Sequence, residues 1–487
     1  MRASVNSRSQ RSIVRSCPVV HAIARRHRQA VAWTMVTRIR ARLALLPPGW
    51  EEDVLLVIEG GRVTQVEPRT ARCPVELDAG IVIPGLTNAH SHAFQRALAG
   101  RTEHRSGAGR DSFWTWRRSM YRLVRRLDAG RFEAIARQAY VEMLESGYTS
   151  VVEFHYLHRE PAGTGNAETM FGAIQRAASA TGIRLTYVPV LYQRAGFGDD
   201  AVTPGQRSFA MTTARFLDHQ ERAGRTASGT IRVGIGVHSL RAVGETSLRQ
   251  VAARAGETGA PMHLHVAEQQ REVDECLAAH GQRPVRWLLD RFEIGEPWCL
   301  VHATHMDADE GRDLAASGAT VCLCPTTEAN LGDGLFPLPD YLRHGGRIAI
   351  GSDSHISINP FEELRWLEYG QRLRSRSRNV ASMRHLHVGR ELFEHALAGG
   401  AQAAGHGAIG LEQGAPADLV VLDAGDPMLA GHDQATLLDA LVFSGYRLPI
   451  ERVMVDGKWR VAGGEHADRS EAARDFARAL ANLEAGP

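Results

Sequence analysis

Side chains able to bind metals or move protons recur at the ends of short apolar runs in this chain: His90 and His92, His155 and Tyr156, His238 and Arg241, His265 and Glu268, His302, and Asp353. In His90-Ser-His92 two imidazoles stand two residues apart. Side chains alternate between the faces of a strand, so both rings point to one side and offer a workable bite for a zinc ion. Taken alone, such a pair equally suits a structural or surface role, and a lone histidine such as His302 equally suits a satisfied core position. What argues for a shared site is the recurrence of such residues at so many run ends of one chain.

The elements that must position these residues are buried-strand runs alternating with helical patterns. Eight strand candidates are legible: Ile81–His92, Ser150–Tyr156, Arg184–Tyr192, Arg232–Leu240, Pro261–Glu268, Trp298–His305, Ala319–Thr326 and Arg347–His355. Helical stretches such as Arg131–Glu145 and Leu248–Thr258 lie between them. Eight such units predict an α/β fold of the (β/α)8 TIM-barrel type, with the chemistry at the carboxyl ends of the strands. No GxGxxG opens a helix after a strand, so dinucleotide binding has no support. Outside the barrel, Val54–Ile58, Val63–Val66, Ala417–Leu422 and Val453–Val461 read as short strands, with Asp456-Gly457 as a hairpin signal. The expected division is a composite β-sandwich domain from residues 35–80 and 408–465, a barrel from 81–407 and a carboxyl-terminal helix from 466–487.

Composition narrows the function. The chain has 487 residues, 44% hydrophobic and 23% charged, as in a globular enzyme with a barrel and one accessory domain. No apolar run is long enough to span a bilayer, so no membrane partner is expected. The net charge of +2 hides ten arginines and no acid within residues 1–50. The rest is therefore mildly acidic, with no footprint for nucleic acid. Residues 1–34 read either as a targeting peptide or, the reading preferred, as an Arg-rich extension that is disordered or absent from the native protein, with Met35 as the start. The six cysteines form no CxxC pair, and buried free thiols in a reducing cytoplasm are expected. Lys458 is the only lysine.

The string Ile83-Pro-Gly-Leu-Thr-Asn-Ala-His-Ser-His92 resembles the first-strand signature of the amidohydrolase superfamily, and His265, His302 and Asp353 follow in the expected order. The resemblance implies that His90, His92, His265 and Asp353 are metal ligands. Three histidines and a carboxylate suit zinc, and the residue types also admit iron(II). Members with two metals bridge them with a carbamylated lysine or a glutamate on a middle strand. No lysine lies there in this chain, so one metal per chain is expected. Such a metal lowers the pKa of water towards about 7. Glu268, three residues past a ligand, would shuttle the proton. Asp353 would accept a proton as well as ligate, and His302 would hydrogen-bond the attacking water or the oxygen of a tetrahedral intermediate.

For the substrate, Arg241 at a barrel mouth suits a carboxylate through a bidentate pair, and Arg117, read as lying on the loop after the first strand, offers a second cation. Two cations beside one metal suit a small dicarboxylate. The strings Asn88-Ala-His-Ser-His-Ala-Phe-Gln-Arg96, Phe113-Trp-Thr-Trp-Arg117, Glu153-Phe-His-Tyr156, His238-Ser-Leu-Arg241, Cys324-Pro-Thr-Thr-Glu-Ala-Asn-Leu-Gly-Asp-Gly334 and Glu363-Leu-Arg-Trp-Leu-Glu-Tyr369 resemble those of the formimidoylglutamate deiminases of histidine degradation. The resemblance runs from about Leu43 to about Gly463. It implies hydrolysis of N-formimidoyl-L-glutamate to N-formyl-L-glutamate and ammonia, a cytoplasmic homodimer, and contact of Gln95, Arg117, Tyr156, His238 and Arg241 with substrate. A related deaminase acting on a purine, pterin or guanidine compound would use the same metal and Glu268 but has less need of the two arginines. A non-catalytic relative would be marked by lost ligands, and none is lost here.

Overall fold

The computed structural model describes residues 36–484, apart from 69–73, 106, 108, 161–165, 199, 409 and 446. The extension expected at 1–34, and with it Cys17, lies outside the described residues, as does Cys73.

The strands run in chain order as β1 (Thr37–Leu46), β2 (Gly49–Glu59), β3 (Arg62–Pro68), β4 (Leu77–Pro84), β5 (Leu86–Ser91), β6 (Tyr148–His155), β7 (Arg184–Leu191), β8 (Ile231–Val233), β9 (Ile235–Ser239), β10 (Met262–Val266), β11 (Trp298–His302), β12 (Thr320–Leu323), β13 (Arg347–Ile350), β14 (Leu419–Leu422), β15 (Ile450–Val455), β16 (Lys458–Ala462) and β17 (Glu465–His466). Parallel pairing links β5, β6, β7, β9, β10, β11, β12 and β13 in that order, with the short β8 beside β7. The ends of this path meet through a parallel bridge between Ser91 and Asp353. Two backbone hydrogen bonds make the seam: His92 N–H donates to the Asp353 carbonyl at 3.1 Å, and Asp353 N–H donates to the His90 carbonyl at 3.0 Å. The structure is thus the expected (β/α)8 barrel, and its strands are buried almost throughout, as both-sided covering requires.

The flanking segments form one further sheet of order β17-β16-β15-β14-β4-β1-β2-β3. Alternate residues serve two cores. Val82, Leu419, Val421 and Met454 join Ile39, Val54 and Leu56 in a small cluster. Ile81, Ile83, Val420, Leu422, Val453 and Val455 face the main core with the barrel. Asp456 and Gly457 both have positive φ, 53° and 71°, as a two-residue hairpin turn demands.

One expected strand is divided. Ile81–His92 is read as continuous, but Ile81–Pro84 belong to β4, paired with β1 and β14, and only Leu86–Ser91 enter the barrel. The switch is made by the backbone. Gly85 N–H donates to Asp418 of the flanking sheet, and Leu86 N–H to Gly147 ahead of β6. An unbroken apolar run carries no mark of this transfer. The carboxyl-terminal helix is present as Arg469–Glu484. Among the described residues no helix is long and apolar enough to cross a membrane.

Gly351, just past β13, lies against the strand that carries the first histidine pair. A Cβ there would come within 2.7 Å of His90 Cβ and 2.8 Å of His90 N. Gly351→Ala is therefore expected to lower stability by about 1–3 kcal/mol through overpacking. Thermal unfolding of the two proteins checks this, and an unchanged midpoint would show that the strands part more easily than the packing implies.

Candidate active site

The seam brings the carboxyl ends of β5 and β13 together, and β10 and β11 complete the cluster. His90 and His265 are joined Nε2 to Nε2 at 2.9 Å, and His90 and His92 at 3.2 Å. Asp353 Oδ1 lies 3.3 Å from His92 Nε2 and 3.7 Å from His90 Nε2. All four side chains are buried. Burial, together with the neighbouring rings, holds His90 and His265 well below the ordinary histidine value, and burial takes His92 down to about 3. These rings are neutral. His92 Nδ1–H donates to the Phe154 carbonyl at 2.9 Å, which leaves the Nε2 lone pair facing inward.

Neutral imidazole nitrogens packed this closely repel through their lone pairs unless a cation lies between them. Their spacing matches the edges of a tetrahedron about an ion with bonds of about 2.1 Å. The residues present fit a divalent metal. His90, His92 and His265 form one donor group, with Asp353 as the carboxylate beside it.

His302 and Glu268 flank this cluster. His302 Nε2 is 3.9 Å from Glu268 Oε1 and 3.8 Å from Asp353 Oδ2, while Nδ1 donates to Glu328 Oε1 at 3.1 Å. Burial opposes charge on His302, but Glu268, Glu328 and Asp353 outweigh it and raise the ring to about 10. Burial, partly offset by His302, raises Asp353 to about 7. The rim is also strained. Ala267, His302, Ala303, Asp353 and His355 all have φ between 48° and 70°, a region that residues with a Cβ seldom enter and that collects at functional sites.

On the other side of the cluster the walls turn aromatic and cationic. Phe154 packs on His265 and Tyr156 on His92, with ring centroids 4.6 and 4.9 Å apart. His238 lies between His265 and Tyr192, 4.9 and 4.8 Å away, and burial, Arg241 and Arg117 keep it neutral. Gln95 Nε2 donates to Tyr156 Oη at 2.9 Å, and its own Oε1 is buried without a partner. Arg241 is only 3% exposed, yet its Nε and Nη1 have no hydrogen-bond partner. Glu272 and Glu268 supply negative charge nearby, and the two free nitrogens can still donate to an anion.

Arg117 donates to Tyr192 Oη at 3.0 Å. It lies within the helix Phe113–Val124 rather than on a loop. Ser112 ahead of the helix donates its N–H to Thr115 Oγ1, a local closure that an aromatic-rich stretch does not advertise. Sequence reasoning also missed Trp114. Its indole stacks against the guanidinium carbons of Arg241, Arg117 and Arg271 at 5.4, 5.5 and 4.5 Å, so one ring orients three cations at the mouth.

Three acids were likewise not singled out. Glu328 orients His302, and its position inside the string Cys324–Gly334 was the available signal. Glu153 lies behind the cluster, accepting from Ser91 Oγ at 2.6 Å and from the Ala93 N–H at 2.9 Å. Glu272 lies beside Arg241, and burial, partly offset by that arginine, raises it to about 7. His155 does not join the site, for it packs on Phe132 and Tyr187. His305 bonds the Asp333 carbonyl at 2.8 Å, and His355 is tied to Ser91 and Ser352 behind the cluster.

A parallel barrel with a buried His-His-His-Asp group at the carboxyl rim defines a hydrolase scaffold made for a divalent cation. The description "Amidohydrolase family" matches residues 81–460, and the chain belongs to that family. It is 47% identical to the formimidoylglutamate deiminase of Pseudomonas aeruginosa over 454 residues, which cover 92% of this chain and 100% of that protein. A 5-methylthioadenosine/S-adenosylhomocysteine deaminase of Haloarcula marismortui is 28% identical over 83% of this chain and 88% of its own length. Among solved structures, an amidohydrolase from Brucella melitensis superposes with a TM-score of 0.88 at 43% identity, covering 92% of this chain and 100% of that one.

Replacing His265 by alanine removes one of the three convergent nitrogens. Metal affinity is expected to fall by more than about a hundredfold. Metal analysis after dialysis checks this, and full retention would place the ion elsewhere.

Proposed function

We propose that this chain is a hydrolytic deaminase that converts N-formimidoyl-L-glutamate and water to N-formyl-L-glutamate and ammonia. His90, His92, His265 and Asp353 hold one zinc ion per chain. Lys458, the only lysine, opens the remote strand β16 and cannot bridge a pair of ions. When bound, the ion supplies Lewis acidity that makes water a nucleophile at neutral pH.

The chain's own groups do the rest. Glu268 takes one proton of the attacking water. The water oxygen bonds to the carbon of the protonated amidine, and the C=N pair moves onto nitrogen, leaving a tetrahedral carbon with hydroxyl and neutral amine. His302, kept cationic by Glu268, Glu328 and Asp353, donates a hydrogen bond to the oxygen on that carbon. Glu268 returns its proton to the amine, the C–N bond breaks, and ammonia leaves. Asp353 takes the hydroxyl proton as the formyl C=O forms. Arg241 and Arg117 bind the two carboxylates, while Gln95, Tyr156 and His238 hold the chain of the substrate between them and the metal.

The observation that carries this reading is the buried guanidinium of Arg241 next to the histidine cluster, with its Nε and Nη1 free of hydrogen bonds. A neutral purine would leave it unsatisfied, at a cost of about 1–3 kcal/mol or more for a charged group. The Pseudomonas aeruginosa relative, by its name, supports the same substrate. The enzyme acts in the cytoplasm as a homodimer, and its buried free thiols Cys276, Cys299, Cys322 and Cys324 suit a reducing compartment.

Ammonia release from formimidoylglutamate, guanine and cytosine by metal-analysed protein tests the proposal. Turnover of formimidoylglutamate alone is expected, and a preference for either base would overturn it. Glu268→Gln is expected to keep its metal and lose about 10²–10⁴-fold in kcat. Near-normal turnover by that variant would remove the proton shuttle. Trp114→Ala, which releases the arginines from their platform, is expected to raise KM about two- to fivefold while sparing kcat, and steady-state kinetics separate the two.

A further inference from the structure

Cys324 has no part in the proposed reaction. Its side chain is fully buried where β12 gives way to the helix Pro325–Leu331. Its sulfur, a ring nitrogen of His302 and a carboxylate oxygen of Asp353 all lie within 4.8 Å of one another. Asp353 divides its oxygens between two groups of donors. Oδ1 faces His92 and His90, at 3.3 and 3.7 Å, and Oδ2 faces His302 Nε2 at 3.8 Å. Glu268 Oε1 stands 3.9 Å from that same nitrogen and can close a fourth side. Imidazole, thiolate and carboxylate together are a ligand set for zinc and for softer divalent ions.

We propose a second, weaker metal site formed by His302, Cys324 and Asp353, which takes a thiophilic divalent cation in excess and inhibits the enzyme. It is weaker for two reasons. Binding must displace to solvent both the thiol proton of Cys324 and the proton that His302 carries on Nε2. The incoming cation also shares Asp353 with the first and is repelled by it. It inhibits because it occupies the His302 nitrogen and the Asp353 oxygen that the reaction uses. The inhibition rests on the roles proposed above for His302 and Asp353, whereas the binding does not.

The test uses full-length enzyme carrying one counted equivalent of zinc, titrated with cadmium. Equilibrium dialysis counts the ions, near-ultraviolet absorbance reports thiolate-to-cadmium charge transfer, and ammonia release reports turnover. The parent is expected to take a second equivalent, show the sulfur band and lose turnover in step. Cys324→Ser and Cys324→Ala are expected to keep the first equivalent and parental turnover, lose the band, and bind the second equivalent at least about tenfold more weakly. The site is overturned if the parent takes no second equivalent, if the variants take it with parental affinity, or if both variants lose the first equivalent. A sulfur band with undiminished turnover overturns the inhibition and counts against the roles of His302 and Asp353, not against the site.

Discussion

Everything at the rim depends on how the barrel closes. The first and last barrel strands meet through the backbone of His90, His92 and Asp353, each hydrogen-bonded across the seam. The same three residues turn their side chains to one point. Joining the first and last barrel strands therefore also brings the side chains of His90, His92 and Asp353 together from segments far apart in sequence. A cation bound there binds only the closed barrel, so it adds its binding free energy to the stability of the fold. The left-handed backbone at Asp353, His355, His302, Ala303 and Ala267 is held by the surrounding packing, which sets these side chains where an extended strand would not.

Charge is sorted across the pocket. Burial keeps His90, His92, His265 and His238 neutral, while the surrounding acids keep His302 charged. In the proposed reaction the neutral rings offer lone pairs to a metal, and the charged one offers a proton to an oxygen. Opposite them, Arg241 and Arg117 lean on the faces of Trp114 and Tyr121, which orient the guanidinium groups without neutralising them. The dianionic substrate proposed above would satisfy both sides at once. Under the proposed function a neutral one leaves Nε and Nη1 of Arg241 without acceptors, so discrimination would come as much from the penalty on the wrong ligand as from contacts with the right one.

Much of this was legible in the sequence. Strands of a parallel barrel are apolar from end to end, so a polar residue at the end of such a run marks the rim, and His90, His92, His265, Glu268, His302, Asp353 and Arg241 were found in that way. Strand-end position alone does not say which way a side chain faces. His155, read with Tyr156 as a rim residue, instead faces away from the cluster, because side chains alternate along the strand and Phe154 and Tyr156 take the inward positions. Where sequence reasoning fell short, the cause was contact between distant segments. Nothing local marks the crossing of Ile81–His92 from one sheet to another, and nothing local ties Glu328 to His302 or Trp114 to Arg241.

The most direct measurement of the central claim is a crystal structure of the zinc-loaded protein with anomalous data at the zinc edge. The account predicts one strong peak per chain, within bonding distance of Nε2 of His90, His92 and His265 and of Oδ1 of Asp353. A principal peak on other residues, or these four side chains directed apart around no ion, would contradict it.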